Sequence, residues 1–176
     1  MLFWHLGTTV AVVFFTLGRR SIDYRVVMLG GILPDLIDKP IGLVFDDRFA
    51  TTRLYGHTLL LTVSILLLVQ LTLRGNRART WFVLPIASAL HLVFDAMWNF
   101  PITLFWPFFS TGFPASQTGW LDPLLHPLEH WVKWLMEIAG IALLVYFAAA
   151  YRLFDRPRIK AFLKTGRLTD KEPSAA

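Results

Sequence analysis

Long apolar segments are the feature that most constrains how this chain can fold. Five of them follow one another along 176 residues, of which 55% are hydrophobic, and the mean hydropathy is +0.53. A helix needs about 20 predominantly apolar residues to cross a bilayer core about 30 Å thick. The sequence therefore predicts an all-α, polytopic membrane helix bundle in residues 1–154, followed by a basic cytoplasmic tail in residues 155–176. The five segments cover residues 1–18, 24–37, 54–73, 81–98 and 131–154.

Two of these segments differ from ordinary spanning helices. The first has no basic stretch before its apolar run and no small-residue cleavage site, so we expect a retained helix rather than a signal peptide. The second, with roughly 14 residues, would rise only about 21 Å as a helix. It ends near Pro34, and its length leaves open whether it crosses the bilayer completely.

Basic residues gather in alternate connections, which predicts the orientation of the bundle. Because cytoplasmic loops carry an excess of Lys and Arg, we expect the N-terminus outside and the C-terminus in the cytoplasm, as in a bacterial inner membrane protein. The net charge of +5 then reflects topology, and no single basic patch with interleaved aromatic residues indicates nucleic-acid binding. The basic residues on the predicted cytoplasmic side are Arg19, Arg20, Arg25, Arg74, Arg77, Arg79, Arg152, Arg156, Arg158, Lys160, Lys164, Arg167 and Lys171.

An imidazole and a carboxylate lie one helical turn apart inside the apolar fourth segment. His91 and Asp95 share a helical face at this spacing. An ionisable side chain at the centre of a membrane helix costs about 2.5 to 3.5 kcal/mol on insertion scales, so such residues usually mark a functional site. A buried hydrogen-bonded pair between helices and a pair of metal ligands both fit this pattern.

Further candidate ligands fall at the same predicted end of the bundle, near the outer face. Independent polar residues have no reason to gather at one end of alternately directed segments, whereas a shared metal site requires it. Each residue alone also fits a helix cap, a solvated carboxylate or an interfacial side chain. The candidate ligands are His5, Asp35, Asp38, His57, His91, Asp95, His126 and His130.

The residue types limit the metal and the chemistry. The chain has no cysteine, so only imidazole and carboxylate are available, which suits zinc and leaves manganese and iron open. One or two ions would activate water for hydrolysis, and Asp38 or Asp95 could accept its proton. A site near the outer face is reached by lipid head groups and by water. We therefore expect a lipid-linked ester as substrate, a phosphoester first and an acyl ester or amide second.

Four motifs together resemble a known family. They are Gly30-Gly-Ile-Leu-Pro-Asp35-Leu-Ile-Asp38, Gly56-His57-Thr58, His91-Leu-Val-Phe-Asp95 and Leu104-Phe-Trp-Pro107. Over roughly residues 1 to 110 they resemble the YdjM-like membrane-bound metal-dependent hydrolases, which are distantly similar to the zinc-dependent phospholipase C and nuclease superfamily. The resemblance implies ligand roles for His5, Asp35, His57, His91 and Asp95. For Asp38, the second acid of the Pro-Asp-x-x-Asp motif, it leaves open a ligand role or the orientation of a ligand. His130 stands where a Glu is expected, which puts a third metal in doubt.

Several alternatives stay open at the level of sequence. The same residues could form the site of a metal carrier, or a metal-stapled bundle without turnover. Ser88 with His91, Asp95, His126 and His130 also offers the residue types of ceramidase-like hydrolases. Glu137 could orient a ligating histidine or join two helices, and the aromatic stretch 98–120 could form an interfacial belt, a re-entrant loop or a lid over the site.

Overall fold

The regular elements of the protein are helical throughout the part of the chain that the structure describes. A computed structural model describes residues 1–17, 22–45, 49–115, 126 and 128–168, and within these ranges the all-α prediction is confirmed. Two short 3-10 turns, Tyr55–His57 and Met97–Asn99, join the α-helices. The α-helices in these ranges are α1 (Leu2–Leu17), α2 (Tyr24–Val44), α3 (Leu59–Thr72), α4 (Gly75–Trp81), α5 (Val83–Phe94), α6 (Pro101–Leu104), α7 (Trp131–Ala150) and α8 (Arg156–Thr165).

The long helices alternate in direction, and α1, α3 and α7 begin at the end of the bundle that we call the upper end. Helix α7 runs parallel to α1, because the backbone N–H of Phe3 donates to Glu137 Oε2 at 2.7 Å while the Phe14 and Phe147 rings meet at 4.9 Å. Helix α2 runs the opposite way, since Tyr24 at its start packs near Phe14. Helices α2 and α5 therefore finish at the upper end.

Small residues allow the helices to approach closely at two crossings. A Cβ atom on Gly7 or Gly140 would overlap the backbone of the facing helix, so α1 and α7 are in direct backbone contact there. At the second crossing, a Cβ on Gly30 of α2 would lie 2.5 Å from the carbonyl oxygen of Leu84 in α5. Close backbone approach through glycine is a common way to pack helices in membranes.

Helix α2 is longer than the sequence predicts. Asp23 caps it by accepting a hydrogen bond from the Arg25 backbone N–H, and the helix then continues to Val44 although it contains Pro34 and Pro40. The predicted end of this segment at residue 37 is wrong, because packing around the buried Pro34 maintains the helix despite the missing backbone donors. The carboxylates expected at a helix end thus lie within the helix.

The predicted fourth segment, residues 81–98, is not one continuous helix. Trp81 ends α4, α5 covers only Val83–Phe94, and Ala96 then adopts a left-handed conformation with φ of 51°. This break turns the chain immediately after His91 and Asp95. The fifth segment forms a helix that ends at Ala150 rather than at residue 154.

Membrane-spanning length combined with high hydropathy is found in one helix of the described residues. Helix α7 combines 20 residues with high hydropathy, and only 11% of its apolar window is buried. Helices α1 and α3 are apolar but have 16 and 14 residues, and the longer α2 carries charged side chains. Of the five predicted spanning segments, α7 is therefore the one that forms an apolar helix of spanning length among the described residues. Helix α3 is shorter, but it also exposes apolar side chains, namely Leu67, Leu68 and Leu71.

Part of the predicted basic tail packs against the bundle at its lower end. The Tyr24 backbone N–H donates to the carbonyl oxygen of Gly166 at 2.7 Å, and Arg25 Nη1 donates to that of Leu163 at 2.6 Å. Leu168 is buried in the main apolar core. Residues 156–168 are therefore part of the folded unit.

Some predicted features lie outside the described residues. They are the basic pair Arg19 and Arg20, the end of the aromatic stretch from residue 116 to Trp120, and the last part of the tail from residue 169, including Lys171.

The α1–α7 crossing generates a first prediction about stability. Gly140→Val should lower the free energy of unfolding by about 1 to 3 kcal/mol, because its side chain would overlap the backbone of α1 and force it to move. Gly112→Val is the matched control, since the nearest side-chain atom to its added Cβ is 3.9 Å away. Thermal unfolding of both variants in detergent measures the effect, and equal stability of the two would refute the crossing.

Candidate metal centre

Five of the predicted ligands meet at the upper end of the bundle. His5 comes from the first turn of α1, Asp35 from α2, His57 from the 3-10 turn before α3, and His91 and Asp95 from the end of α5. The three imidazoles are each at most 1% exposed, and the two carboxylates are 12% and 10% exposed. We call these five residues the upper cluster.

The orientation of His57 is fixed by Asp38. His57 Nδ1 lies 2.7 Å from Asp38 Oδ2, and a carboxylate at this distance accepts the Nδ1 proton. The same carboxylate accepts backbone N–H groups of Leu54 at 2.6 Å, Gly56 at 2.6 Å and His57 at 3.1 Å. Asp38 is fully buried, so its oxygens hold the 54–57 turn and leave Nε2 of His57 to face the upper cluster.

The orientation of His91 is fixed by the backbone of α2. His91 Nδ1 lies 2.7 Å from the carbonyl oxygen of Gly31. A carbonyl oxygen can only accept a hydrogen bond, so Nδ1 must carry the proton. In the neutral imidazole, Nε2 is then the nitrogen with the free lone pair.

These two hydrogen bonds place two lone pairs opposite each other. His57 Nε2 and His91 Nε2 are 3.3 Å apart, and in the neutral tautomers neither has a proton to offer the other. Two ligands at about 2.0 to 2.1 Å from a tetrahedral zinc ion lie about 3.3 to 3.4 Å apart. The separation of the two nitrogens is the one that a shared metal ion requires.

His5 completes the imidazole group without a conventional partner. Its ring stacks on that of His91 with centroids 3.9 Å apart, and its Nε2 lies 3.1 Å from Asp95 Oδ1. His5 Nδ1 has no hydrogen-bond partner among the described residues, and Nε2 has this contact with Asp95 alone. Buried polar atoms are nearly always paired, and an imidazole with one unpartnered nitrogen beside two carboxylates fits a metal ligand.

The carboxylates complete two overlapping groups of three ligands. Asp35 Oδ1 lies 3.7 Å from His57 Nε2 and 4.0 Å from His91 Nε2, and Asp95 Oδ2 lies 3.5 Å from His57 Nε2. Among the described residues, two groups that could hold a metal ion are His5–Asp35–His91 and His57–His91–Asp95, and in each the ligand atoms lie within 4.8 Å of one another. Both groups contain His91.

Two cations border the upper cluster on its solvent side. Lys39 Nζ lies 2.6 Å from Asp35 Oδ2, and Arg53 Nε lies 3.2 Å from Asp95 Oδ2. The Arg53 guanidinium also stacks over the Phe100 ring at 4.7 Å. The sequence reasoning assigned no role to either cation, and the i,i+4 spacing of Asp35 and Lys39 was the only signal that could have linked one of them to the site.

The glycine before His57 is required by close packing. A Cβ on Gly56 would lie 2.5 Å from the Pro34 carbonyl oxygen and 2.9 Å from Asp38 Oδ1. Only glycine allows the 3-10 turn to lie this close to α2, and this proximity brings the Gly56 N–H within 2.6 Å of Asp38.

Part of the predicted aromatic stretch packs beside this turn. The Tyr55 ring meets Trp106 at 5.2 Å and Phe113 at 4.9 Å, and Trp106 stacks on Phe113 at 5.9 Å. Trp106 and Phe113 thus pack on the first residue of the turn that carries His57. The lid, the interfacial belt and the re-entrant loop all stay predictions.

Other predicted site residues are not members of the two ligand groups. His126 is exposed and His130 is half-buried, and neither belongs to the two ligand groups; their roles as ligands stay predictions. Ser88 is buried and lies 3.4 Å from the Thr62 hydroxyl. Glu137 accepts the backbone N–H groups of Phe3 and Trp4, so it joins α7 to α1 at the turn that carries His5.

Comparison with known proteins identifies the family. Neither the curated proteins nor the solved structures contain a match to this chain. The sequence pattern that defines the YdjM inner membrane protein family matches residues 1–159, a longer stretch than the motif resemblance covers. The match confirms the resemblance to the YdjM family, whereas hydrolytic activity and the more distant link to the phospholipase C and nuclease superfamily stay predictions. The chain belongs to the YdjM inner membrane protein family.

Proposed function

We propose that this protein is a membrane-embedded, metal-dependent hydrolase of lipid-linked esters, with phosphoesters as its first substrate class. The observation that carries the proposal is the pair of facing Nε2 atoms of His57 and His91, 3.3 Å apart. Their outer nitrogens are held by Asp38 and by the Gly31 carbonyl oxygen. A divalent cation between them removes the repulsion that two facing lone pairs would otherwise have.

His91 can bind one metal ion at a time. Its Nδ1 already donates to Gly31, so only Nε2 can ligate, and the two overlapping groups cannot both use it. We therefore assign one principal ion, held by His57, His91 and Asp35, whose Oδ1 lies 3.7 Å and 4.0 Å from the two Nε2 atoms. A second ion would depend on His5 with Asp95. Imidazole and carboxylate ligands favour zinc, with manganese and iron as further candidates.

The chemistry follows from this donor set. Zinc with three protein ligands and an open position lowers the pKa of a bound water to about 7, which makes a water nucleophile available at neutral pH. Of the two predicted bases, Asp38 is fully buried and accepts four hydrogen bonds. Asp95 retains 10% exposure of its side chain, so we assign proton acceptance to Asp95 and the positioning of His57 to Asp38.

The proposed membrane arrangement gives the upper cluster access to lipids. We propose that all five long apolar segments cross or enter the bilayer, with the upper end outside and the basic lower end in the cytoplasm. The family description as an inner membrane protein and the mostly exposed apolar surface of α7 support this placement. A lipid head group and water could then both reach the cluster from the outer leaflet.

A metal carrier without turnover is the second candidate, and one observation favours it. Thr9, Thr62 and Ser88 are buried deeper in the bundle than the cluster, as polar residues along a permeation path would be. The next buried layer toward the lower end is apolar, however, and contains Val13, Phe14, Val27 and Val83. A hydrophilic path would end there, so we place hydrolysis before transport.

The first test of this function combines metal content with turnover. His91→Ala should lose both bound zinc and hydrolysis of lipid phosphoesters, because His91 belongs to both ligand groups. Lys160→Ala, at an exposed residue near the lower end of the bundle, is the control and should keep both. Zinc is measured by mass spectrometry and hydrolysis with a panel of phospholipids and lipid phosphates in detergent. Wild-type protein without metal, or His91→Ala with full metal content, would contradict the assignment.

The second test addresses the positioning role of Asp38. Asp38→Asn should weaken zinc binding about 10- to 100-fold, which is the usual cost of losing a residue that orients a metal-ligating histidine. Asp155→Asn, at an exposed carboxylate near the lower end, is the control. Competition with a zinc chelator measures both affinities, and an unchanged affinity in Asp38→Asn would remove the positioning role.

The third test addresses orientation in the membrane. The natural chain has no cysteine, so single cysteines can be introduced at the exposed residues Thr111, near the upper end, and Asn76, near the lower end. In intact cells with a permeable outer membrane, an impermeant maleimide should label Thr111→Cys, and it should label Asn76→Cys only after the inner membrane is opened. The reverse pattern would place the upper cluster on the cytoplasmic side.

A further inference from the structure

The two cations beside the upper cluster are arranged differently from ordinary surface ion pairs. Each of the two carboxylates in the cluster contacts an imidazole and also binds a cation. Asp35 Oδ1 faces His57 and His91, while its Oδ2 takes Lys39 at 2.6 Å. Asp95 Oδ1 faces His5, while its Oδ2 lies between Arg53 Nε at 3.2 Å and His57 Nε2 at 3.5 Å. The cations thus form the rim between the buried ligands and solvent.

Both cations keep hydrogen-bond donors available for a ligand. Arg53 donates through Nε, and its two Nη groups have no hydrogen-bond partner among the described residues. Lys39 uses one bond of the three that an ammonium can make. Their side chains are 38% and 43% exposed, so these donors can be reached from outside the cluster.

Arg53 is also held in place before any ligand arrives. Its guanidinium stacks on Phe100 at 4.7 Å while Nε is bonded to Asp95. A planar guanidinium that is fixed on one edge presents its other edge as a fork, which matches two oxygens of a phosphate group. A donor oriented in advance loses less conformational entropy on binding.

Charge balance favours an anionic substrate. The three aspartates Asp35, Asp38 and Asp95 together with Lys39 and Arg53 sum to one negative charge with neutral histidines. One divalent ion makes the centre positive, and a phosphodiester or phosphomonoester would then compensate that charge. A carboxylic ester or an amide has no charge to offer the two rim cations.

On the basis of the proposed function, we infer that Arg53 and Lys39 form the phosphate-binding rim of the metal centre and determine its specificity for phosphoesters over acyl esters. Arg53 binds two non-bridging oxygens through its Nη groups, and Lys39 adds a single charged contact. Neither cation ligates the metal. The rim acts on substrate affinity and leaves the metal content unchanged.

The test measures phosphate binding separately from turnover. Full-length protein in detergent is loaded with zinc and titrated with inorganic phosphate by calorimetry. Arg53→Met and Lys39→Met should each weaken phosphate binding about tenfold or more, as expected for the loss of a charge-assisted hydrogen bond. Arg77→Met, at an exposed residue of α4, should bind phosphate like the wild type. Zinc content should stay at the wild-type level in all three variants.

A second variant separates substrate binding from support of the metal ligands. Arg53→Lys keeps the charge beside Asp95 but removes the planar fork. This variant should therefore retain zinc but bind phosphate several-fold more weakly than the wild type. Loss of zinc in both Arg53 variants would make Arg53 a support for Asp95 and overturn the inference. So would wild-type phosphate affinity in Arg53→Met, or zinc-loaded wild type that binds no phosphate.

The outcomes also distinguish this inference from the proposed hydrolase. If zinc-loaded protein cleaves acyl esters and does not bind phosphate, the hydrolase stands and the phosphate-binding rim fails. If phosphate binds in an Arg53-dependent manner but no ester is cleaved, the rim stands and the hydrolase fails. Wild-type protein that takes up no zinc would refute both.

Discussion

The upper cluster depends on two hydrogen bonds that fix the tautomers of His57 and His91. One goes to the Asp38 carboxylate and the other to the Gly31 carbonyl oxygen, each at 2.7 Å. Both partners are acceptors, so each neutral ring carries its proton on the outer nitrogen and directs a lone pair inwards. Without these bonds the rings could rotate or exchange tautomers. The 3.3 Å separation of the two Nε2 atoms would then no longer indicate a pair of metal ligands.

The rest of the fold serves to hold these partners in position. The Gly30 crossing brings α2 against α5, which places the Gly31 carbonyl oxygen beside His91. Gly56 brings the 3-10 turn onto α2, where Asp38 can accept three backbone N–H groups as well as the His57 ring. Glu137 of α7 accepts hydrogen bonds from the first turn of α1 and thereby anchors the turn that carries His5.

The sequence predicted much of this site, because its strongest signals were chemical. Ionisable residues are costly in apolar helices, and the alternation of segments brought His5, Asp35, His57, His91 and Asp95 to one end, where the structure also places them. Asp38 was predicted as a ligand, as a base or as a residue that orients a ligand, because spacing along a helix cannot show which carboxylate is occupied by backbone donors from another element. The cations Lys39 and Arg53 received no role, since their importance comes from contacts that only the folded chain reveals.

Segment boundaries were harder to predict than residue types. Helix α2 continues through Pro34 to Val44, because tertiary packing outweighs the loss of a backbone donor. The fourth segment breaks at Phe82 and again after Phe94, and hydropathy alone contains no signal for the left-handed Ala96 that ends it. His126 and His130 were grouped with the other ligands by their position in the sequence, and the described residues place neither in a ligand group.

The most direct measurement of the central claim is X-ray absorption spectroscopy of the zinc-loaded protein. The account predicts a first shell of nitrogen and oxygen at about 2.0 to 2.1 Å, together with outer-shell scattering from at least two imidazole rings. His91→Ala should abolish the imidazole signal from a specific site. A shell of oxygen alone without imidazole scattering, or a spectrum that the His91→Ala variant reproduces, would contradict the claim that His57 and His91 share a metal ion.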